Sequence, residues 1–265
     1  MIKLKEQDVN EVLEYLEAYI QECVYLYIDI KVYGIGHQNV DVWINREDGK
    51  INTVVMKYFD SFQIFSAYDE WDVKGTVELL RKYKVTTVSG KKSMIQQLSE
   101  YFKETYSVAY GVVIEEDKYR EFKQFELIEE ACVKDTSEIA KLMCTDAEFA
   151  SNYEISNLAE QLADRIQTGL GKSYIVRQEG KIVAHVAVFA QTDTVAVESG
   201  LIVDELVKKN MYGMILHEYV KKVLINEGKR VFAFRIKDNM LRCTSVAKVG
   251  VCSEYGKMTK ESYNA

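Results

Sequence analysis

The sequence contains no proline and little that suits a membrane or a secreted protein. Without proline, its turns depend on the 14 glycines and on Asn and Asp. There is no uninterrupted apolar stretch of about 18 residues, the length that a membrane-spanning helix needs. Residues 1–10 are charged and lack the apolar core of a signal peptide. These absences favour a cytoplasmic protein without a membrane segment.

Charge and metal-binding residue types exclude further classes. Asp and Glu number 41 against 34 Lys and Arg, and no basic run of the kind that contacts phosphate backbones is present. Nucleic acid is therefore not an expected partner. The five cysteines include no Cys-x-x-Cys pair, and the three histidines (His37, His185 and His217) are scattered. Neither a disulfide framework nor a metal site is expected.

The length of 265 residues fits two domains of modest size, or one large single domain. Hydrophobic residues make up 48% and charged residues 28%, which is enough apolar surface for a core and argues against disorder. A charged stretch at residues 115–123 is interpreted as a solvated connection. We therefore expect an N-terminal domain over residues 1–120 and a C-terminal domain over residues 121–265.

The N-terminal half alternates helical and strand patterns. Apolar spacing predicts helices over residues 8–24 and 25–33, and Asp48-Gly49 predicts a hairpin turn, because this pair tolerates positive φ. Ser89-Gly90-Lys91 is not a phosphate-binding loop, since Val85 stands where such a loop needs a glycine. We interpret it as a turn into a helix.

The C-terminal half predicts the order β, α, α, β, β, β, α, β, α, β. Three successive strands are expected at residues 173–177, 182–190 and 194–203. A helix with one apolar stripe follows at residues 211–225, and Gly228 ends it. The remaining elements are a strand at 231–236, a helix at 239–249 and a strand at 251–258.

A short polar loop joins the third strand to the helix. Strand residues 201–203 lead through Asp204-Glu205 into Lys208-Lys209-Asn210-Met211-Tyr212-Gly213. Backbone N–H groups at a helix N-terminus, together with the helix dipole, bind phosphate. The alternative is a plain strand, turn and amphipathic helix, with Met211 in the core.

This order and this loop resemble the GNAT N-acetyltransferase fold over residues 125–258. Lys208, Met211 and Gly213 stand, without gaps, at the key positions of the family's Arg/Gln-x-x-Gly-x-Gly/Ala loop. Asn239 stands where the family has Asn-Pro, and Val249-Gly250-Val251 where it has Leu-Gly-Phe. The sequence departs from the family pattern at Lys208, at Met211 in place of the first glycine, and at Glu205 in place of proline.

The resemblance implies acetyl-CoA as cosubstrate and no metal. The cofactor-binding residues would be Leu201, Ile202, Val203, Lys208, Lys209, Asn210, Met211, Tyr212, Gly213 and Asn239. The strand residues would pair with the pantetheine amides like an added strand, and the loop would hold the pyrophosphate. Asn239 would face the pantetheine arm, although a helix N-cap explains it equally well.

Acetyl transfer needs a base for the acceptor amine and an acid for the leaving thiolate. Glu198 on the third strand is the candidate base, and an ordinary edge or surface glutamate is the alternative. The family's usual acid is a tyrosine at the position of Val246, which cannot donate a proton. Tyr212 is the candidate substitute, and Tyr255 is another.

Short strings in the first half, such as Val40-Asp41-Val42-Trp43, resemble the N-terminal half of tandem two-domain GNAT-like bacterial proteins. The resemblance implies an α/β (α+β) protein with a C-terminal GNAT fold, built on a mixed, largely antiparallel sheet flanked by helices, and a degenerate GNAT-like N-terminal domain. The implied function is acyl-CoA-dependent N-acyl transfer to a small-molecule or peptide amine. A catalytically inactive module that binds acyl-CoA or a protein partner is the alternative, and a homodimer is compatible with both.

Overall fold

The computed structural model describes residues 1–103, 105–236 and 251–260. The chain groups into two compact units, one formed by residues 1–115 with the segment from residue 234 onward, and one by residues 116–233. The sequence-based division near residue 120 placed the whole C-terminal segment in the second domain. The structure instead groups the strand at residues 251–260 with the first unit, because both of its neighbouring strands belong there.

The described residues contain eight α-helices and twelve β-strands. The helices are α1 (Val9–Glu17), α2 (Ile20–Tyr33), α3 (Val73–Arg81), α4 (Lys92–Ser99), α5 (Thr136–Met143), α6 (Ala147–Asn152), α7 (Ile155–Thr168) and α8 (Tyr212–Asn226). The strands are β1 (Ile2–Lys3), β2 (Val40–Glu47), β3 (Lys50–Tyr58), β4 (Ser61–Phe65), β5 (Thr87–Lys91), β6 (Tyr106–Glu116), β7 (Ile128–Glu130), β8 (Lys172–Gln178), β9 (Lys181–Gln191), β10 (Val195–Val203), β11 (Arg230–Ile236) and β12 (Val251–Lys260).

The sheet of the first unit has the strand order β1-β2-β3-β4-β5-β12-β6. β12 lies antiparallel to both β5 and β6, with Met258 opposite Val88 on one side and Val108 on the other. The predicted turn at Asp48-Gly49 joins β2 to β3, and both residues have positive φ. A core of buried aromatic and aliphatic side chains, including Trp43 and Trp71, packs this sheet against α3 and α4.

Two predictions for the first unit need correction. The break between α1 and α2 lies at residues 18–19, where Tyr19 has φ −123°, and α2 itself has a kink at Cys23 (φ −142°), next to the predicted boundary after Val24. Ser89-Gly90-Lys91 is part of β5 and is not a turn. Gly90 lies opposite Ile64 of β4, where a Cβ would overlap the Ile64 carbonyl oxygen and lie 2.7 Å from Ile64 Cγ1. The glycine therefore serves close strand packing.

The sheet of the second unit has the order β11-β10-β9-β8-β7, antiparallel except for the parallel pair β10–β11. The predicted succession of three strands is confirmed in β8, β9 and β10. Leu216, Val220 and Leu224 of α8 lie in one apolar cluster, and α5 and α7 contribute to another. Gly228 follows α8 with φ 76°, as the predicted helix end requires.

Within residues 1–103, 105–236 and 251–260, no helix combines the length and the apolar character that a bilayer crossing needs. No group of three or more His, Cys, Asp or Glu residues within those ranges is arranged to hold a metal ion.

Candidate functional site

The parallel strands of the second unit share only part of their length. β10 pairs with β11 from Val195 opposite Arg230 to Glu198 opposite Ala233. The last residues of β10, 199–203, extend past this register, and in the described residues they have no β11 partner in it. On its other side, β10 is interrupted by an irregularity between Ser199 and Ile202 in its pairing with β9. The end of β10 thus presents a stretch of backbone on its β11 side.

His185 of β9 stabilises this irregularity through a hydrogen bond to Gly200. It is completely buried, with Nδ1 3.0 Å from the Gly200 carbonyl oxygen and Nε2 3.1 Å from Ser173 Oγ. Since a carbonyl only accepts, Nδ1 donates to Gly200 and the Ser173 hydroxyl donates to Nε2. Burial lowers the pKa of His185 to about 4, against the opposing effect of the hydrogen bond to Gly200. The ring is therefore neutral. Gly200, whose carbonyl oxygen accepts its hydrogen bond, has φ 66°.

The loop after β10 turns sharply before α8 begins. Asp204 accepts a hydrogen bond from the Leu206 N–H at 2.9 Å, and residues 205–210 form a short 3-10 turn. Met211 then takes the left-handed conformation, with φ 61° and ψ 17°. This conformation costs roughly 1 kcal/mol for a residue other than glycine. Met211 is 53% exposed, so the alternative interpretation of it as a core residue is wrong.

The first turn of α8 lies against the end of β10. A Cβ added at Gly213 would lie 3.2 Å from Val203 Cγ2, so an alanine would fit only with a small shift of that methyl group. The N–H groups of a helix's first turn have no acceptor within the helix, and the helix dipole makes this end positive. Exposed residues Lys208, Lys209 and Asn210 precede it, and Lys208 pairs with Glu205.

The structure brings most of the predicted cofactor-binding residues together. Those from Leu201 to Val203 and from Lys208 to Gly213 lie at the end of β10, in the loop and at the start of α8. Asn239 lies outside the described residues, as do Val246 and Val249-Gly250.

Glu198 is fully buried, so it is not a surface glutamate. It is the last β10 residue paired with β11, and its Oε2 lies 2.7 Å from His217 Nδ1 on α8. The other ring nitrogen, Nε2, lies 3.5 Å from Oε1 of Glu116 at the end of β6. His217 thus lies between two carboxylates, each facing one of its nitrogens.

Two further charged residues of α8 extend this group. Lys221 Nζ lies 3.5 Å from Glu116 Oε2 and 2.9 Å from Glu218 Oε1. Glu218 Oε2 accepts from the Arg120 backbone N–H at 2.6 Å. Sequence reasoning missed His217 and Lys221, which are four residues apart on the side of α8 that also carries apolar core residues. Charged or titratable side chains on the apolar side of an amphipathic helix were the available signal.

The charges around Glu116 oppose its burial. Burial by itself would raise the pKa of this carboxyl, and the charge of Glu198 adds to that effect. The hydrogen bond and charge of His217, together with the charge of Lys221, outweigh both and hold the pKa of Glu116 below its ordinary value. Glu116 is therefore a carboxylate at neutral pH.

The role of Tyr212 or Tyr255 as the acid stays a prediction. Tyr212, the first residue of α8, packs against the apolar cluster that α8 covers. Tyr255 lies on β12, in the first unit, where its ring contacts Phe234 with centroids 5.0 Å apart.

No protein-family model and no curated protein matches the sequence. Solved structures do match over nearly the whole chain. A Drosophila protein superposes with TM-score 0.66 at 13% identity, covering 99% of this chain and 98% of its own. A tandem GNAT protein from the clavulanic acid biosynthesis pathway gives TM-score 0.57 at 10% identity, covering 100% and 99%. An acetyltransferase of the GNAT family from Colwellia psychrerythraea gives TM-score 0.56 at 8% identity, covering 98% of both chains.

The chain therefore has the tandem GNAT fold over its full length. The two units repeat one order of elements, two helices, three strands, a helix and a strand, which runs from α1 to β5 in the first unit. In the second unit the same order, with the short α6 added, runs from α5 to β11. Identities of 8–13% show the fold alone, so the chemistry has to be argued from the site.

Proposed function

We propose that the protein is an acyl-CoA-dependent N-acyltransferase that moves an acetyl group from acetyl-CoA to an amine of a small molecule or peptide. The observation that carries this proposal is the end of β10, which has backbone without a β11 partner in the described register, next to the start of α8. A strand edge and a helix N-terminus side by side suit a ligand with both amides and phosphates.

Coenzyme A has this composition. Its pantetheine amides would pair with the backbone of Leu201, Ile202 and Val203. Its pyrophosphate would take the N–H groups from Met211 to Gly213, with Lys208, Lys209 and Asn210 around it. Backbone recognition depends little on side-chain identity, which explains how Met211 can replace the family's glycine. The left-handed shape that glycine would supply is present at Met211.

The proposed chemistry begins with Glu198 as the base. The acceptor ammonium gives one proton to the Glu198 carboxylate, directly or through water. The amine nitrogen then bonds to the thioester carbon, and the carbon–sulfur bond breaks with its electron pair on sulfur. Tyr212, the proposed acid, donates its phenolic proton to the thiolate. The nitrogen then loses its second proton, which returns through solvent to Tyr212, and Glu198 releases the first proton to solvent.

Titration calorimetry with acetyl-CoA, followed by thiol release with a panel of amines, tests the proposal. Replacing Lys209 by Glu should weaken acetyl-CoA binding about tenfold, which corresponds to about 1.4 kcal/mol, because it puts a negative charge beside the pyrophosphate. Lys74→Glu is the matched control, since Lys74 is also exposed and lies at the start of α3, the corresponding helix of the first unit. That variant should bind acetyl-CoA normally.

Two results would go against the proposal. Absence of binding at millimolar acetyl-CoA would overturn both the enzyme and the acyl-CoA-binding module. Binding that Lys209→Glu weakens, with no thiol release for any amine, would favour the catalytically inactive module.

A further inference from the structure

Five charged or titratable side chains form a cluster where α8 covers the end of the β10–β11 pairing. We call it the His217 cluster. Its side chains are between 0% and 18% exposed. Its members are Glu116, Glu198, His217, Glu218 and Lys221.

The ring of His217 has a carboxylate oxygen at each nitrogen, 2.7 Å away at Nδ1 and 3.5 Å away at Nε2. A neutral imidazole carries hydrogen on one nitrogen only, so it would leave one carboxylate facing a lone pair. The imidazolium carries hydrogen on both nitrogens and is the form that both carboxylates favour.

Glu198 needs such a neighbour if it is to act as a base. A fully buried carboxyl group is driven towards its neutral form, which cannot accept the proton of an amine. A hydrogen bond of 2.7 Å from a cation opposes that tendency. It also fixes the carboxylate at the point where β10 leaves β11.

We propose that His217 is a positioning residue that keeps Glu198 ionised and oriented for removing the proton of the acceptor amine, and that Glu116 keeps His217 doubly protonated. This inference rests on the proposed function, because it assigns a role within acetyl transfer.

Lys221 and Glu218 complete the arrangement from the next turn of α8. Lys221 faces Glu116, so that this carboxylate stays ionised while it faces His217. The lowered pKa of Glu116 agrees with its role. Glu218 ties Lys221 to the backbone of Arg120 and fixes the connection after β6.

A purely structural role, in which the cluster only fastens α8 to the sheet, predicts different results. It would make every cluster variant less stable and would leave the pH dependence of turnover unchanged. The tests below therefore read protonation and pH dependence.

The first test needs no substrate. In the full chain carrying ¹⁵N-labelled histidine, the ring nitrogens of His217 should both be protonated at pH 7, with His217→Gln assigning the signal among the three histidines. In Glu116→Gln the same ring should show one unprotonated nitrogen. A neutral ring in the unmodified protein would overturn the inference whether or not the protein is an enzyme.

The second test uses turnover with whichever amine releases thiol. In Glu116→Gln, the acid limb of the kcat/KM profile should shift to higher pH by about one unit. At a pH on that limb, kcat/KM should be about tenfold lower than in the unmodified protein. At high pH, activity should approach that of the unmodified protein. Glu116→Asp should restore most of the original profile.

Glu121→Gln is the matched control, since Glu121 is an exposed partner of Lys222 in the same connection. It should leave the profile unchanged. Doubly protonated His217 together with an unchanged profile in Glu116→Gln would show a structural cluster and overturn the proposed role. The proposed acyltransferase activity would stand in that case.

Discussion

The corresponding strand pairs of the two units differ in how far they stay together. In the first unit, β4 pairs with β5 from Ser61 to Ile64, nearly its full length, and Gly90 allows the backbones to approach closely. In the second unit, β10 extends five residues past the last pair, Glu198 with Ala233, to Val203. One order of elements thus gives a closed strand pair and an open one.

The helices that follow β4 and β10, α3 and α8, differ in how their N-termini are capped. Asp72 caps α3, with its Oδ1 accepting from the Gly75 N–H at 2.8 Å and its Oδ2 from Asn45 at 3.1 Å. A carboxylate of the chain itself thus occupies the position where an anion would bind. Met211 precedes α8 in a left-handed conformation and gives no side-chain cap. The first unit caps its helix with one of its own side chains, whereas α8 has no side-chain cap at Met211, which is the place that the proposed function gives to the pyrophosphate.

The largest expected effect tests the closed pair. Gly90→Ala should lower the free energy of unfolding by about 3 kcal/mol, because the added methyl group overlaps the Ile64 backbone in a packed sheet. Gly213→Ala is the matched change at the open site and should stay within about 1 kcal/mol, since its nearest neighbour is a side-chain methyl group 3.2 Å away. Urea unfolding followed by circular dichroism measures both. Equal losses would mean that the two places are packed alike.

The second effect depends on pH and concerns His185 in the second unit. His185 is neutral when folded, with a pKa of about 4, and its unfolded value is near 6.5, so acid favours the unfolded chain. Stability should be unaffected by this group above pH 6.5 and should fall by about 2 kcal/mol between pH 7 and pH 5.

His185→Gln can keep both hydrogen bonds without titrating and should remove this pH dependence. His37→Gln, in the first unit, should retain it. Both tryptophans, Trp43 and Trp71, lie in the first unit, so their fluorescence reports on that unit alone. If acid unfolds the second unit first, circular dichroism changes at higher pH than fluorescence. A pH dependence that His185→Gln leaves intact would point to another group.

The smallest effect concerns the loop. Met211→Gly should raise the free energy of unfolding by about 1 kcal/mol, because glycine adopts the left-handed conformation without strain. Met214→Gly, three residues on and inside α8, should lower it by about 1 kcal/mol. Chemical unfolding of the two variants side by side is sufficient. A loss of stability in Met211→Gly would contradict the left-handed loop.

The sequence predicted those parts that depend on local pattern. Alternation and helical spacing predicted β8, β9, β10 and α8, and the motif positions located the loop before α8. The open end of β10 and the His217 cluster depend on contacts between residues far apart in the chain, such as Glu116 and His217. Gly90 was misinterpreted because a glycine in a short polar string suggests a turn, whereas here it permits close packing of two strands.

Hydrogen exchange with and without acetyl-CoA tests the central claim most directly, since it reports on both units in one experiment. Bound acetyl-CoA should slow exchange at residues 199–215, which cover the end of β10, the loop and the start of α8. No change is expected at residues 61–65 or 72–81 of the first unit. Protection in the first unit, or no protection anywhere at millimolar acetyl-CoA, would contradict that claim.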